Sequence, residues 1–524
     1  MKIFAASFAF AIAISCSISA FAARPVARWD VIPDQRFEGV FEAGVVAFHK
    51  EGVKVEFSVN GKPVATVVNP ALNPRVKVWE HFVALKASDY KDGKITLQAR
   101  AVSLSKTAPE SYELPELSLY ANSKKSLSVA KIIWADSASG NDSNAGTEAK
   151  PMQSLGAAIR ACPDGGTVNL KAGAYSVDGI RAQGRAFWTT IQPAPGVARE
   201  QVEIEGGRPS SDFLRFKDVV IFIDHEGGYR TILVGDGNSP TRVVWIDNCV
   251  MTNKKGRWAG DTSPFGNGYP AYVTDGVMRD LNNGGGMLAR GLRIEKLGSD
   301  AWSGGGKLVV NCAVDDIDAG STGAHPDFHQ SYAPAPNWVE DVILYNVRGY
   351  RGKCQGLFGV RLRNAAFVNV EFQKLEGPYY SQYSEPMENV LFLHSTIIDQ
   401  SWLWRDSYRP TDVVFMNNLV LNMGQMNGAD TDPSRLFVSN NHFVDAARTW
   451  GESHSSGDPL FRDPSKDDYR VREDSPAASG AAPLQCVPAD IDGVPHNPAK
   501  PRAKGAHVSP TSDPRLSQTT GIVK

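Results

Sequence analysis

Short apolar strands recur along the second half of the chain at an almost constant spacing, and this spacing constrains the fold more than any other feature. Four successive strands end at Asn346, Asn369, His394 and Asn417, which gives spacings of 23, 25 and 23 residues. One strand per unit at such a period is typical of a solenoid, in which each unit buries its apolar face only against its neighbours. Helical repeats would need about 33 residues or more, and leucine-rich repeats would need regular leucines, which are missing here. We expect Asn346, Asn369 and Asn417, together with Asn441, to lie at corners where stacked amides hydrogen-bond along the axis.

The segments that flank these strands resemble those of a known group of proteins. A turn-rich loop at 137–147, a segment of helical periodicity at 154–161 and a strand at 165–175 precede them. Asp458-Pro459, Ser475-Pro476 and Asp492-Gly493 follow them. In order and spacing these motifs resemble the opening loop and the C-terminal wrap of secreted, polysaccharide-active proteins of the pectate-lyase-like superfamily. The resemblance implies a right-handed parallel β-helix over 130–455 and a C-terminal wrap and tail over 456–524.

The N-terminal part of the chain predicts a targeting segment and a separate domain. Lys2, an apolar run and Ala20-Phe21-Ala22 form a signal-peptide pattern over 1–22. The run is too short to span a bilayer, so we expect a secreted or periplasmic protein without a transmembrane anchor. Residues 53–59 alternate with period two before an Asn60-Gly61 turn. About seven such short strands predict an immunoglobulin-like β-sandwich over 24–128, and the fold class is therefore all-β.

Composition excludes several partners and cofactors. Lys and Arg number 55 against 57 Asp and Glu, which gives a formal net charge of −2 and no bulk basic field for nucleic acid. Five cysteines outside the leader are an odd number without a Cys-x-x-Cys pair, so neither a disulfide framework nor a cysteine zinc site is expected. Asp492-Gly493 resembles a calcium-loop fragment or is a plain turn. The sequence assigns no cofactor with certainty, and calcium or another divalent ion stays open. We expect a monomer.

Polar and aromatic residues one period apart predict a substrate groove, because such residues stack at about 4.8 Å in a β-solenoid. If Phe328 points inward, His325, Asp327 and His329 share the outer face. His329, Gln355, Tyr380 and Trp404 then follow at intervals of 26, 25 and 24 residues. The catalytic candidates are His325, Asp327, His329, Lys353 and Tyr380. The substrate-binding candidates are Trp302, Arg351, Gln355, Gln382, Trp402, Trp404 and Arg405.

These residue types fit a polysaccharide lyase that cleaves a uronate-containing polymer by β-elimination. Elimination needs a base, a cation near the carboxylate and an acid for the leaving oxygen. We expect His329 or Lys353 as the base, Tyr380 as the acid, and Arg351 or Arg405 on the carboxylate, while tryptophans stack on sugar rings.

Other functions stay open on the same fold. A glycoside hydrolase or a uronan C5-epimerase would use related chemistry, although the Gly-His-Gly signature of polygalacturonase-type hydrolases is missing. A His-x-Asp-x-His face can also bind a metal ion, and a non-catalytic carbohydrate-binding surface protein is a further alternative. The resemblance extends to no single family's catalytic motif, so it assigns no residue a role.

Overall fold

The computed structural model describes most of the chain between residues 23 and 507. The described ranges are 23–107, 109–127, 131–178, 180–182, 184–207, 210–224, 243–257, 271–281, 286–303, 307–320, 326–333, 336–376, 380–382, 387–403, 411–422, 436–444, 451–497 and 499–507. Nearly all of their regular structure is β. Among these residues, no helix is long and apolar enough to cross a membrane.

The N-terminal domain consists of two facing sheets. Its strands are β1 (Val26–Trp29), β2 (Gln35–Phe37), β3 (Val40–Phe48), β4 (Val53–Val59), β5 (Lys62–Val67), β6 (Ala71–Leu72), β7 (Trp79–Lys86), β8 (Gly93–Ser103), β9 (Ser111–Glu113) and β10 (Leu117–Ala121). One sheet has the order β1-β3-β7-β6, and the other β2-β10-β8-β4-β5 with β9 beside β8. The two sheets share one apolar core, and the immunoglobulin-like assignment of this domain stays a prediction. Asn60 and Gly61 both have positive φ, as a type I′ turn between β4 and β5 requires.

The second domain is built from parallel strands. They are β11 (Ile132–Ala135), β12 (Thr167–Leu170), β13 (Gly173–Ser176), β14 (Arg181–Ala182), β15 (Thr189–Pro193), β16 (Val202–Glu205), β17 (Ser210–Ser211), β18 (Leu214–Lys217), β19 (Val220–Ile223), β20 (Val244–Asp247), β21 (Val250–Asn253), β22 (Ala271–Thr274), β23 (Val277–Arg279), β24 (Leu288–Arg290), β25 (Arg293–Leu297), β26 (Trp302–Ser303), β27 (Leu308–Ile317), β28 (Asp327–Tyr332), β29 (Val339–Glu340), β30 (Ile343–Gly352), β31 (Gln355–Val360), β32 (Leu362–Leu375), β33 (Tyr380–Gln382), β34 (Met387–Leu393), β35 (Thr396–Leu403), β36 (Thr411–Met416), β37 (Leu419–Asn422), β38 (Leu436–Ser439), β39 (His442–Phe443) and β40 (Ser455–Ser456).

These strands pair with strands one turn away, so the chain winds into a parallel β-helix and the predicted fold class is confirmed. The first sheet runs through β12, β15, β18 and their successors to β38, and the second sheet runs through β13, β16, β19 and theirs. The third sheet contains β26, β28, β31, β33 and the end of β35. Helix α1 (Leu155–Ala161) packs at the beginning of the solenoid, where Ser154 caps it by accepting from the Ala157 N–H. Short 3-10 helices cover Ala87–Asp89, Arg199–Gln201 and Pro464–Lys466.

An amide ladder runs along the corner between the first and second sheets. The Nδ2 of Asn369 donates to the Oδ1 of Asn346 across 2.9 Å, and the Nδ2 of Asn417 contacts the Nε2 of His394 at 2.9 Å. All four residues have positive φ, which a sharp corner requires and asparagine tolerates. The predicted corner positions of Asn346, Asn369 and Asn417 are confirmed. Asn441 instead follows the corner residue, and its Oδ1 accepts from the Asn418 N–H at 2.8 Å.

The sandwich covers the outer face of the first sheet. Outward side chains such as Ile343 and Leu391 are at most 1% exposed and form one apolar cluster with the sandwich core. The rings of Phe48 and Tyr345 meet edge to face at 5.1 Å between centroids. Arg24 adds an ion pair to Asp341 at 2.7 Å. The outer face of the first sheet is therefore occupied along these rungs.

The C-terminal segment lies along the amide corner after an antiparallel hairpin of β41 (Phe461–Asp463) and β42 (Asp468–Val471). Asn369 donates to the Ala489 carbonyl at 3.0 Å, and Asn417 donates to the Ala482 carbonyl at 2.8 Å. Arg348 of the second sheet pairs with Asp492 at 2.5 Å. This wrap therefore covers the second sheet around Arg348.

Candidate functional site

The register of the third sheet differs from the predicted ladder. Trp302 pairs with His329, His329 with Leu357, Leu357 with Tyr380, and Tyr380 with Trp402. The intervals are therefore 27, 28, 23 and 22 residues, because the chain between the second and third sheets changes length from rung to rung. Gln355, half-buried, pairs with Asp327 and not with His329.

Trp302 and His329 face the interior, which corrects their predicted outward positions. Trp302 is 0% exposed, and its ring centroid lies 5.4 Å from that of Phe328 in the core. His329 is 2% exposed and in register with Leu357, a core residue, so the two side chains point to the same side. The Nδ1 of His329 is 3.1 Å from the Oγ of Ser331 inside the protein. Because its side chain faces the core together with that of Leu357, His329 is not positioned to take a proton from a substrate in a groove. Trp302 packs on Phe328 and is not a cleft residue.

The reason for the reversal lies at the beginning of β28. Phe328 points inward as predicted and packs against Phe372, with 4.5 Å between the two ring centroids. Inward and outward side chains alternate regularly only after Phe328: His329 and Ser331 are buried, whereas Tyr332 is 56% exposed. Alternation counted from Phe328 therefore assigns His329 to the wrong side.

Arg351 and Lys353 project from the corner between the second and third sheets. Their side chains are 62% and 63% exposed. Arg351 donates from Nε to the Oδ1 of Asp315 at 2.9 Å, and the Nζ of Lys353 lies 3.4 Å from the Oδ2 of Asp318. Each cation is therefore already paired with a carboxylate, although both heads are open to solvent.

Several predicted residues lie outside what the structure describes. His325, Trp404 and Arg405 fall outside the described ranges. Tyr380, Gln382 and Trp402 are described by strand position only. Their predicted roles stay predictions.

The structure brings together two carboxyl groups that the sequence does not pair. The N–H of Asp327 donates to the Oδ1 of Asp300 at 2.9 Å, and the Ala301 N–H donates to the Asp327 carbonyl at 3.1 Å. Asp300, Asp327 and Gln355 thus follow one another on successive rungs. Asp300 is 7% exposed and Asp327 0%, so Asp300 is the more accessible of the two carboxyls. The only sequence signal for the pair is an acidic residue about one rung before Asp327.

Burial gives the two carboxyls different proton affinities. Burial raises the pKa of Asp300 to about 6. Burial, followed by the negative charge of Asp300, raises the pKa of Asp327 to about 8. Between these values the pair holds about one proton, which is how adjacent carboxyls divide acid and base roles. Burial and the two aspartates also raise the pKa of the Cys354 thiol, which keeps this cysteine protonated.

A second group of candidate ligands lies under the C-terminal wrap. Asp490, Asp492 and His507 bring donor atoms within reach of one ion. Asp492 is already paired with Arg348, and the Oδ1 of Asp490 accepts from the N–H groups of Asp492 and Val494. Although burial lowers it, Glu371 and Asp492 raise the pKa of His507 to about 10. A protonated imidazole has no lone pair for a metal, so these residues fit an ion-pair network better than a cation site.

Comparisons with known proteins give only distant matches. No protein-family model matches the chain, and neither does any curated protein. A structure of XylC in complex with xylose is 9% identical, with a TM-score of 0.41, and the match covers 72% of this chain and 98% of that one. The A-module of a mannuronan C-5 epimerase from Azotobacter vinelandii is 13% identical with a TM-score of 0.37, and the match covers 58% of this chain and 94% of that one. A rhamnogalacturonan lyase is 10% identical with a TM-score of 0.34, and the match covers 68% of this chain and 96% of that one.

Proposed function

We propose that this chain is a polysaccharide-cleaving enzyme of the glycoside hydrolase type, with Asp300 and Asp327 as its acid–base pair. The observation that supports it is the buried pair of carboxyls, in which the backbone N–H of Asp327 donates to the Asp300 carboxyl and the pKa values are separated to about 6 and about 8. Hydrolysis of a glycosidic bond needs an acid that protonates the leaving oxygen and a base that activates water. A pair that carries one proton at neutral pH supplies both functions.

The titration of Asp327 depends on that of Asp300, because the negative charge of Asp300 raises the pKa of Asp327. Asp300, the more accessible member, would contact the substrate. Asp327 would hold the proton behind Asp300 and pass it to Asp300, which donates it to the leaving glycosidic oxygen. The ionised pair would then accept, through Asp300, the proton that the attacking water loses as its oxygen bonds to the sugar carbon. Gln355, in register with Asp327 on the next rung, would extend the polar floor.

Elimination is the second candidate, because one observation favours it. Arg351 and Lys353 expose cationic heads immediately before Gln355, at the edge of the same column. A uronate carboxylate that replaced Asp315 or Asp318 as their partner would be neutralised there, and the carboxyl pair would serve as base and acid. Under this candidate the enzyme is the predicted lyase on an acidic polymer, with His329 removed from its list of bases. Secretion of the enzyme is part of the same proposal.

A substrate screen distinguishes the candidates. The purified protein is incubated with neutral and acidic polysaccharides, and reducing ends and ultraviolet-absorbing unsaturated ends are followed together. Reducing ends alone support hydrolysis, whereas unsaturated ends support elimination.

The same screen tests the site with isosteric variants. Asp300→Asn and Asp327→Asn should abolish either product. Asp212→Asn is the matched control, because Asp212 is a similarly buried solenoid aspartate, 6% exposed, whose carboxylate accepts from the Gly184 N–H. Full activity in Asp300→Asn and Asp327→Asn would rule out this pair as the catalytic site.

A further inference from the structure

The junction between the sandwich and the solenoid contains a buried cluster of charged residues. Asp30, which follows β1 of the sandwich, is 0% exposed. Its Oδ1 pairs with the Nη1 of Arg290 at the end of β24 in the first sheet, 8% exposed. Asp275, at the corner after β22, also acts on Arg290 electrostatically. A salt bridge of this kind is stable only while both charges stay matched, because neither is solvated.

A second carboxyl, that of Glu80 in β7, lies in the same junction. Glu80 is 1% exposed, and the Nδ2 of Asn73 donates to its Oε1 at 2.6 Å. Gly44 of β3 leaves the space that this carboxyl fills, since a Cβ at Gly44 would collide with it. Within the described chain, the Oε2 of Glu80 and the Oδ2 of Asp30 have no hydrogen-bond partner. The junction thus contains two buried carboxyls, each with one oxygen that accepts no hydrogen bond within the described residues.

The groups that face Glu80 come from both domains. The sandwich contributes Asp30 and Arg75, and Arg75 donates to the Asp30 carbonyl at 3.2 Å and to the Glu42 carbonyl at 2.7 Å. The solenoid contributes Arg290 and the buried hydroxyl of Tyr345. Burial, and then the negative charge of Asp30, raises the pKa of Glu80 well above its usual value, against the opposing effects of Arg75, Asn73 and Arg290. Glu80 is therefore neutral where an exposed glutamate is charged.

We propose that protonated Glu80 locks the sandwich onto the first sheet, and that its ionisation in alkaline solution releases this junction. An ionised Glu80 would place a second negative charge beside Asp30 in a space that excludes water. Arg75 offsets this charge only in part, since the pKa of Glu80 stays raised in its presence. Repulsion and lost hydration then favour the open junction, in which Glu80, Asp30 and Arg290 are all solvated. Opening would expose the apolar outer face of the first sheet around Ile343 and Leu391. The proposal is independent of the catalytic assignment.

The test is hydrogen–deuterium exchange of the full chain, corrected for the intrinsic effect of pH on exchange. Peptides that contain β1, β7 and β24 report on the junction, and peptides from β13 and β16 of the second sheet, away from the titrating Asp327, serve as internal controls. Between pH 6 and pH 9.5 we expect exchange of the junction peptides to rise about tenfold relative to the controls in the wild type. Glu80→Gln, which copies the neutral acid, should suppress this rise.

Two further variants keep the test decisive. Glu113→Gln is the matched control, since Glu113 lies in the other sheet of the sandwich with a side chain 72% exposed, and it should behave like the wild type. If Glu80→Gln fails to fold, Asn73→Ala removes a hydrogen bond that favours the ionised form, and it should move the opening midpoint to higher pH. A pH-dependent rise that is unchanged in Glu80→Gln or in Asn73→Ala, or no rise in the wild type, would overturn the proposal.

Discussion

The backbone N–H of Asp327 donates to the Oδ1 of Asp300 across 2.9 Å, and this bond joins the beginning of one rung to a carboxyl of the rung before it. The bond holds two acidic side chains in a buried place where both cannot be charged without a large cost. A fold does not retain such a pair for stability, because the ionised form is disfavoured by burial. Sites of this kind are where catalytic acids are found, and the following experiments test that reading.

Asp327→Asn should stabilise the protein in alkaline solution. A carboxyl whose folded pKa is about 8 binds more protons folded than unfolded, so the wild type loses stability as pH rises from about 4 through about 8. The amide removes this loss. Thermal unfolding should show equal stability near pH 4 and an advantage for Asp327→Asn, on the order of a few kcal/mol, at pH 8.5. Parallel curves for the two proteins would contradict the raised pKa.

Trp302→Ala should strongly destabilise the solenoid, because Trp302 is 0% exposed and packs against Phe328. Truncation of a buried tryptophan costs about 3–5 kcal/mol. Tyr332→Ala is the control from the same sheet, and its 56% exposed ring should change the free energy of unfolding by only about 0.5 kcal/mol. Urea unfolding measures both variants. If both variants changed the free energy of unfolding equally, Trp302 would not be a core residue, and it would again be a candidate for sugar binding.

The rungs are predictable from the sequence wherever the corner between strands has a fixed length. Asn346 and Asn369 are 23 residues apart and stack through an amide hydrogen bond of 2.9 Å, because the turn between the first and second sheets keeps one left-handed residue per rung. Apolar alternation and period are local properties, so a single sequence contains them.

The third sheet is not predictable in the same way. A constant period pairs His329 with Gln355, whereas the structure pairs His329 with Leu357, since the connection before this sheet changes length between rungs. Burial of the Asp300 and Asp327 carboxyls depends on the residues that surround them in three dimensions, so no local sequence pattern predicts it. For that reason the sequence predicts His325, Asp327 and His329 as one outward group, whereas the proposed site keeps only Asp327 of these three and adds Asp300.

His507→Gln should weaken the attachment of the C-terminal wrap in a pH-dependent manner. The Nδ1 of His507 lies 3.2 Å from Asp492 and its Nε2 lies 3.3 Å from Glu371. With a folded pKa raised to about 10, its stabilisation is complete below about pH 6.5 and is lost as pH rises through about 10. We expect a loss of about 3 kcal/mol near pH 6 that shrinks above pH 10, measured by chemical unfolding. A pH-independent difference between the two proteins would contradict the protonated His507.

The pH dependence of kcat/KM on the polysaccharide found in the screen tests the central claim most directly. If Asp300 must be ionised and Asp327 protonated, kcat/KM follows a bell with limbs near pH 6 and pH 8, which belong to the coupled pair. Asp327→Asn should remove activity across the whole range while Asp212→Asn keeps the bell. A profile that is flat between pH 5 and pH 9, or an Asp327→Asn enzyme as active as the wild type, would contradict the assignment of Asp300 and Asp327 as the catalytic pair.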